Sequence, residues 1–204
     1  MADQRAPAGT KRDRATAQRR GRILDAAVMC FLENGYHQTG VRDIAKRAGV
    51  SLGNLYNHFA GKHDILAEIA TLERTELAPV LALLARTDPA PAVLDGFVTA
   101  YATYLAKPEN VILTIEITSE AIRKPDIGDL FVANRAELVD ALAAVLTRGI
   151  ADRHFRAMPD PRDTAHLIIE LIEGTAYRSV LSGLAMGKLL SGLKDFIMAA
   201  VREG

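Results

Sequence analysis

A run of side chains between residues 51 and 58 carries hydrogen-bonding groups with almost no charge. Asn54 and Asn57 each pair a donor with an acceptor, a combination that matches the edge of adenine, and Leu52 offers apolar surface for a thymine methyl group. Gly53 allows the backbone to approach a phosphate closely. The other polar candidates in this run are Ser51, Tyr56 and His58. We therefore predict a surface that reads the base edges of double-stranded DNA.

The elements that must position this surface are two short helices joined by a tight turn. The first, Val41–Ala48, ends at Gly49, which tolerates a positive φ, and Ser51 is suited to cap the second helix, predicted over residues 52–59. The residues expected to face inward are Ile44, Ala45, Ala48, Val50, Leu55 and Phe59. This pattern predicts a helix-turn-helix whose second helix lies in the major groove.

Positive charge surrounds the predicted reading surface, from Arg42, Lys46, Arg47 and Lys62, and such cations suit phosphate contacts. Net charge is zero over the chain, but residues 1–62 hold 11 Lys and Arg against 5 Asp and Glu, and residues 63–204 hold 14 against 20. The basic part is expected to meet a polyanion; a merely solvated basic tail is the alternative that charge alone leaves open.

The spacing of these residues resembles the tetracycline-repressor (TetR) family over about residues 23–66. The matching positions are Thr39, Ile44, Ala45, Ala48, Gly49, Val50, Ser51, Gly53, Leu55, Tyr56, His58, Phe59 and Lys62. The resemblance implies a homodimer that binds a palindromic operator and releases it when a small molecule enters the larger domain. It also implies DNA contacts from Thr39, Arg42, Ser51 to His58, and Lys62. Gly40 departs from the family, which often has a second Ser or Thr there, so the usual helix cap and its phosphate contact are in question.

The whole chain is expected to be all-α, with about nine helices. Beyond the two above, they are predicted near residues 14–34, 62–84, 91–107, 109–123, 127–154, 163–182 and 187–202. We expect a mobile basic arm over residues 1–13, a DNA-binding domain over 14–62, and an effector-binding and dimerisation domain over 63–204. Small residues among leucines in the last two helices favour a dimer interface there.

Candidate ligand-binding residues in the larger part are aromatic, aliphatic and polar groups on its central helices: Phe97, Tyr101, Tyr104, Ile112, Glu116, Phe131, His166, Glu170, Glu173 and Tyr177. If buried, the acids would favour a cationic or hydrogen-bonding effector. The alternative is that these acids face solvent or pair with Arg123, Arg135 or Arg178.

Other classes of protein fit the sequence poorly. Cys30 is the only cysteine, no cofactor or metal set is recognisable near His58 and His63, and no apolar run is long enough for a membrane span, so a cytoplasmic protein is expected. Residues 183–189 fall one residue short of a phosphate loop. We expect no enzyme but a ligand-released repressor; the alternatives are an activator or ligand-independent regulator, and, remotely, a small-molecule-binding protein or enzyme with a vestigial helix-turn-helix.

Overall fold

The computed structural model describes residues 11–203, except the side chains of residues 11, 12, 127, 130 and 131. Ten α-helices account for most of the described residues, so the predicted all-α class is confirmed. They are α1 Lys11–Gln38, α2 Val41–Ala48, α3 Leu52–Tyr56, α4 Lys62–Glu76, α5 Ala78–Leu84, α6 Ala90–Leu105, α7 Pro108–Ala121, α8 Pro125–Ala151, α9 Pro161–Ser182 and α10 Met186–Val201.

The helix predicted over residues 62–84 is in fact two helices, α4 and α5. Pro79 lies in the first turn of α5, and because proline has no N–H to donate, the hydrogen-bond ladder of α4 cannot continue through it. The second helix of the predicted motif is shorter than expected, since α3 ends at Tyr56 rather than at residue 59. Most of the expected arm, residues 1–10, lies outside the described residues, whereas residues 11–13 belong to α1.

The chain divides into two compact units, Met1–Ile69 and Ala70–Gly204, with the division seven residues beyond the expected one. In the first unit, apolar side chains of α1 to α4 are buried together: Ile23, Ala27, Phe31, Ile44, Leu55, Phe59, Ile65 and Leu66. The second unit has a core of its own, built from α5 to α10, with Phe97, Leu142, Leu146, Ile169 and Ile172 fully buried. Among the described residues, no helix is long and apolar enough to cross a membrane.

Candidate DNA-binding surface

The turn between α2 and α3 has the geometry that the sequence predicts. Gly49 adopts φ 67° and ψ 34°, a left-handed conformation that costs glycine little. The N–H of Gly49 donates to the carbonyl of Lys46 at 3.2 Å and the N–H of Val50 to that of Ala45 at 3.0 Å, which closes α2 as a Schellman motif. Ser51 Oγ then accepts from the N–H of Asn54 at 3.1 Å and caps α3.

The start of α2 is capped although Gly40 has no side chain. The N–H of Gly40 donates to Asp43 Oδ2 at 2.9 Å, so the carboxylate three residues into the helix satisfies the entering backbone. A Cβ atom at position 40 would lie 2.9 Å from the same oxygen, which would force Asp43 to move. Asp43 thus supplies one half of a capping box, while the N–H of Asp43, which a hydroxyl at position 40 would accept from, donates instead to the carbonyl of Gly40 at 3.0 Å.

The predicted reading face of α3 divides into exposed and half-buried side chains. Ser51, Gly53, Tyr56 and Asn57 are exposed, with Tyr56 at 52%. Leu52, Asn54 and His58 are half-buried. Asn54 Oδ1 is buried and accepts no hydrogen bond from any described residue, so pairing of this oxygen with adenine would require the side chain to turn outward.

The Thr39 side chain points into the first unit. It is 2% exposed, and its hydroxyl lies within hydrogen-bonding distance of the carbonyls of Cys30, at 3.0 Å, and Gly35, at 2.8 Å. Gly35 interrupts α1 with φ 75°, and the single proton of the Thr39 hydroxyl can donate to either of these two carbonyls at the interruption. A DNA contact at Thr39, which the family resemblance implies, would therefore use its backbone.

Lys62, at the start of α4, is directed at the end of α1. Its Nζ donates to the carbonyl of Tyr36 at 2.6 Å and to that of His37 at 3.3 Å, and it lies 4.3 Å from the centroid of the Tyr36 ring. A cation at the carbonyl end of a helix is stabilising. Lys62 thus joins two helices, and its contact with a phosphate stays a prediction.

The cations of α2 are not equivalent. Arg47 donates from two nitrogens to the two carboxylate oxygens of Glu33, each at 2.6 Å, and this hydrogen bonding raises the pKa of Arg47. Its charge is compensated by Glu33, and a phosphate contact from Arg47 stays a prediction. Arg42 and Lys46 are exposed and are better placed for phosphate contacts.

Arg20 is a positioning residue that sequence reasoning missed. From α1 it donates to the carbonyl of His58 at 2.9 Å, lies over the ring of Phe59 and pairs with Glu68 at 3.0 Å. These contacts fix the segment between α3 and α4 to α1. In sequence Arg20 is one of several neighbouring cations, and no local pattern distinguishes it.

In the second unit, several of the predicted ligand-binding residues meet at one buried polar group, Glu173. The hydroxyl of Tyr101 donates to Glu173 Oε1 at 2.5 Å, and that of Tyr177 lies 3.5 Å from Oε2. Arg135 donates to the same carboxylate and, at 2.7 Å, to Glu170. The alternative that the predicted acids pair with arginine is therefore confirmed for Glu170 and Glu173, which both pair with Arg135.

A second acid, the half-buried Glu73, belongs to this neighbourhood and was not among the predicted residues. Burial, together with the negative charge of Glu173, raises the pKa of Glu73 to about 7. It lies beside Thr114 of α7, and the pKa of Tyr104 of α6 is raised by burial first and then by the negative charge of Glu73. We call Glu73, Tyr101, Tyr104, Arg135, Glu173 and Tyr177 the acid–tyrosine cluster.

The remaining predicted ligand residues lie on the same group of helices. Phe97 is fully buried and stacks on Tyr101 with ring centroids 5.7 Å apart, which makes it part of the core. Ile112, Glu116 and His166 are half-buried. The Phe131 side chain lies outside the described residues.

Comparison with known proteins identifies both parts of the chain. Residues 23–69 match the bacterial regulatory proteins of the tetR family, and residues 92–201 match the C-terminal domain of BetI-type transcriptional repressors. The HTH-type transcriptional repressor AcnR of Corynebacterium diphtheriae is 28% identical over 195 residues, which cover 92% of this chain and 93% of AcnR.

Two solved structures with bound small molecules share the fold. A putative transcriptional regulator from Saccharomonospora viridis in complex with choline superposes with a TM-score of 0.80 at 25% identity, covering 92% of this chain and 100% of that one. The transcriptional regulator FadR from Bacillus subtilis in complex with stearoyl-CoA superposes with a TM-score of 0.76 at 24% identity, covering 87% of this chain and 97% of FadR.

A helix-turn-helix with an exposed polar second helix, followed in sequence by a separate helical unit, defines a DNA-binding regulator of transcription. The chain belongs to the TetR family and carries a C-terminal domain of the BetI type. It is a transcriptional repressor and not an enzyme.

Proposed function

We propose that two copies of this chain bind an inverted-repeat operator and leave it when a small-molecule effector binds the second unit. The observation that carries the proposal is the exposed face of α3, held by the capped turn at Gly49 and Ser51 and flanked by Arg42 and Lys46. Such a face can enter the major groove while the two cations contact phosphates. The site of action is the cytoplasm, where the operator lies.

Dimerisation through α9 and α10 is supported by apolar side chains that neither helix buries. On α9, Leu167 is 70% and Leu181 79% exposed, and they lie on one stripe with the exposed Gly174 because successive members are seven residues apart. On α10, Phe196 is 65% exposed. Ile197 of the same helix is buried in the core of its own unit and adds nothing to this surface.

An effector site in the second unit is supported by two kinds of observation. The acid–tyrosine cluster contains two buried ionisable groups, Tyr101 and Glu173, and the half-buried Glu73, whose pKa is raised; perturbed ionisable groups of this kind are typical of functional sites. Relatives of the same fold bind choline and stearoyl-CoA. Glu73 of the cluster lies on α4, the helix whose first residue, Lys62, holds the end of α1. A ligand that moves Glu73 would therefore act on the helix that supports the DNA-binding unit.

Fluorescence-anisotropy titration of duplex DNA from just upstream of the protein's own gene tests the DNA-binding part. We expect preference over scrambled duplex, and we expect Arg42→Ala with Lys46→Ala to weaken binding and to reduce the slope of affinity against salt by about 2. Lys107→Ala, which removes an exposed cation of the second unit, is the matched control. Equal effects from both variants, or no preference for the upstream duplex, would contradict the proposal.

Light scattering after gel filtration tests the dimer. Leu181→Glu should yield monomers, because a charge replaces apolar surface in the proposed interface. Ile122→Glu makes the same change at a side chain that is 82% exposed on the C-terminal side of α7, and should leave the dimer intact. A Leu181→Glu protein that remains dimeric would place the interface elsewhere.

A further inference from the structure

The N-terminal part of α1 extends beyond the packed core of the first unit. None of residues 13–22 is buried, and the first buried side chain of the helix is that of Ile23. The part of α1 that precedes Ile23, residues 11–22, has a length of about 18 Å at 1.5 Å per residue. Because most helical stability comes from the packing of an apolar face, this part of α1 gains little stability from the unit. We call residues 11–22 the α1 extension.

The α1 extension carries a high positive charge. Its sequence holds six Lys and Arg residues against one acid, Asp13, which gives a net charge of +5. The side chains of Arg14, Arg19 and Arg22 are exposed. Like charges that lie three residues apart on a helix, as Arg19 and Arg22 do, repel each other. A polyanion outside the unit would relieve this repulsion, and the extension is therefore suited to bind one.

Two of the exposed arginines lie on one face of the helix. Arg14, Gln18 and Arg22 follow one another at intervals of four residues and are all exposed, so they form an outward stripe. Arg19 lies to one side of this stripe, and Arg20 lies on the opposite face. The stripe spans about 12 Å along the helix axis. That length corresponds to several phosphates of a DNA strand, which follow one another about every 3.4 Å.

The α1 extension also continues past the end of the DNA-binding surface. Arg20 donates to the carbonyl of His58 at 2.9 Å, so α1 contacts the chain where the predicted reading face ends. The helix begins at Lys11, and the residues before Arg20 therefore extend about 13 Å from this contact. A helix in this position would meet DNA beyond the base pairs that α3 reads.

We propose that the stripe of Arg14, Gln18 and Arg22 binds phosphates of the DNA that flanks the inverted repeat, on the outer side of each half-site. This inference rests on the proposed function and adds a second DNA contact that carries no base specificity. DNA is favoured because the stripe adjoins the helix-turn-helix and because the arginine fork matches phosphate oxygens. The alternative partner is an acidic protein surface, such as residues 63–204 of another copy, which hold 14 Lys and Arg against 20 Asp and Glu.

The test compares two duplexes that carry the same inverted repeat from upstream of the protein's own gene. One duplex ends at the outer edges of the repeat, and the other continues for about 10 base pairs, one helical turn, on each side. In fluorescence anisotropy the full-length protein should bind the longer duplex about tenfold more tightly. The slope of affinity against salt should also be steeper, by about 1 for each additional phosphate contacted. Flanks of scrambled sequence should serve equally well, because phosphate contacts carry no sequence information.

Arg14→Gln with Arg22→Gln should remove most of the gain from the flanks and leave affinity for the shorter duplex within about threefold of the unchanged protein. Arg19→Gln, at an exposed arginine beside the stripe, should keep the gain. Lys107→Gln with Lys124→Gln removes two exposed cations from the second unit and should keep it as well. Urea unfolding of the double arginine variant should match that of the unchanged protein, because neither side chain is buried.

Three results would overturn the inference. The first is an equal gain from the flanks in the double arginine variant and the unchanged protein. The second is a gain that the two lysine substitutions reduce to the same extent. The third is a double arginine variant that keeps the gain but loses self-association without DNA at low salt, which would assign the stripe to an acidic protein surface.

The same titrations separate this inference from the proposed function. If the unchanged protein prefers neither duplex over a scrambled repeat, the proposed function is refuted. If it prefers the repeat but binds both lengths equally, only the flanking contact is refuted.

Discussion

The guanidinium group of Arg20 lies over the ring of Phe59, 4.3 Å from its centroid. Phe59 is 1% exposed and directly follows residues 51–58, which carry the predicted reading face. The contact therefore holds the chain after α3 against α1. The same guanidinium donates to the carbonyl of His58, whose side chain is among the predicted DNA contacts. The position of the reading face thus depends on a residue that does not lie on it.

Replacing Arg20 by Met should weaken operator binding about tenfold and lower the free energy of unfolding by about 1 kcal/mol, through the lost hydrogen bond and cation–π contact. Arg19→Met, at an exposed neighbour, removes the same charge without these contacts. Anisotropy and urea unfolding of both variants provide the measurement. If the two variants behave alike in both assays, Arg20 does not position residues 51–58.

Glycines 49 and 53 should respond in opposite ways to alanine. Gly49→Ala forces a Cβ into a left-handed conformation at φ 67° and should cost about 1–2 kcal/mol of stability. Gly53 lies in α3, and a methyl group there would meet no atom within 4 Å, so Gly53→Ala should raise stability by up to about 1 kcal/mol. Because that methyl group lies on the reading face, Gly53→Ala should still weaken operator binding. Urea unfolding that ranks the two variants the other way would contradict the turn geometry.

Lys62→Met tests whether this lysine serves the fold or the DNA. Because its ammonium group satisfies carbonyls of Tyr36 and His37, the substitution should lower the free energy of unfolding by about 1–2 kcal/mol. Lys46→Met, at an exposed cation of α2, should leave stability unchanged and weaken DNA binding. If Lys62→Met keeps full stability and only the slope of operator affinity against salt falls, by about 1, then Lys62 binds a phosphate instead.

Stability should fall as pH rises from about 5 to 8. Glu73 has a folded-state pKa of about 7, above its ordinary value of 4.5, so the folded state holds a proton that the unfolded state releases at lower pH. The stabilisation by this proton is complete below the ordinary pKa of 4.5 and is lost as the pH rises through the folded-state pKa of about 7. Glu73→Gln should flatten this dependence, whereas Glu109→Gln should preserve it. Urea unfolding at about pH 5.5 and pH 8 measures the difference, and an unchanged dependence in Glu73→Gln would assign it to another group.

The helix-turn-helix could be predicted because its signals are local. Gly49, Ser51 and the apolar positions of α2 and α3 fall within a few residues of one another, and each has one evident role. The end of α3 and the division between α4 and α5 are less evident, because apolar spacing continues through both. Pro79 marks the second break, yet the surrounding pattern favours one long helix.

The direction of individual polar side chains could not be predicted. Thr39 and Lys62 match the family pattern in type and position, but their hydrogen bonds run to carbonyls of α1, which only the packed unit brings near. Glu73 and Arg135 are far from Glu173 in sequence, and no periodicity links helices that meet only in the folded chain. Sequence identified Glu173 and its tyrosines, while burial and pairing identified their partners.

Selection of duplexes from a random pool by the full-length protein tests the central claim most directly. A repressor that presents two copies of α3 should enrich an inverted repeat whose half-sites are centred about one helical turn apart, or a multiple of it, and Tyr56→Ala should lose that enrichment while keeping salt-dependent binding to any DNA. A pool that shows no enriched repeat would contradict the account. So would Tyr56→Ala and Asn57→Ala variants that each enrich the same repeat as strongly as the unchanged protein.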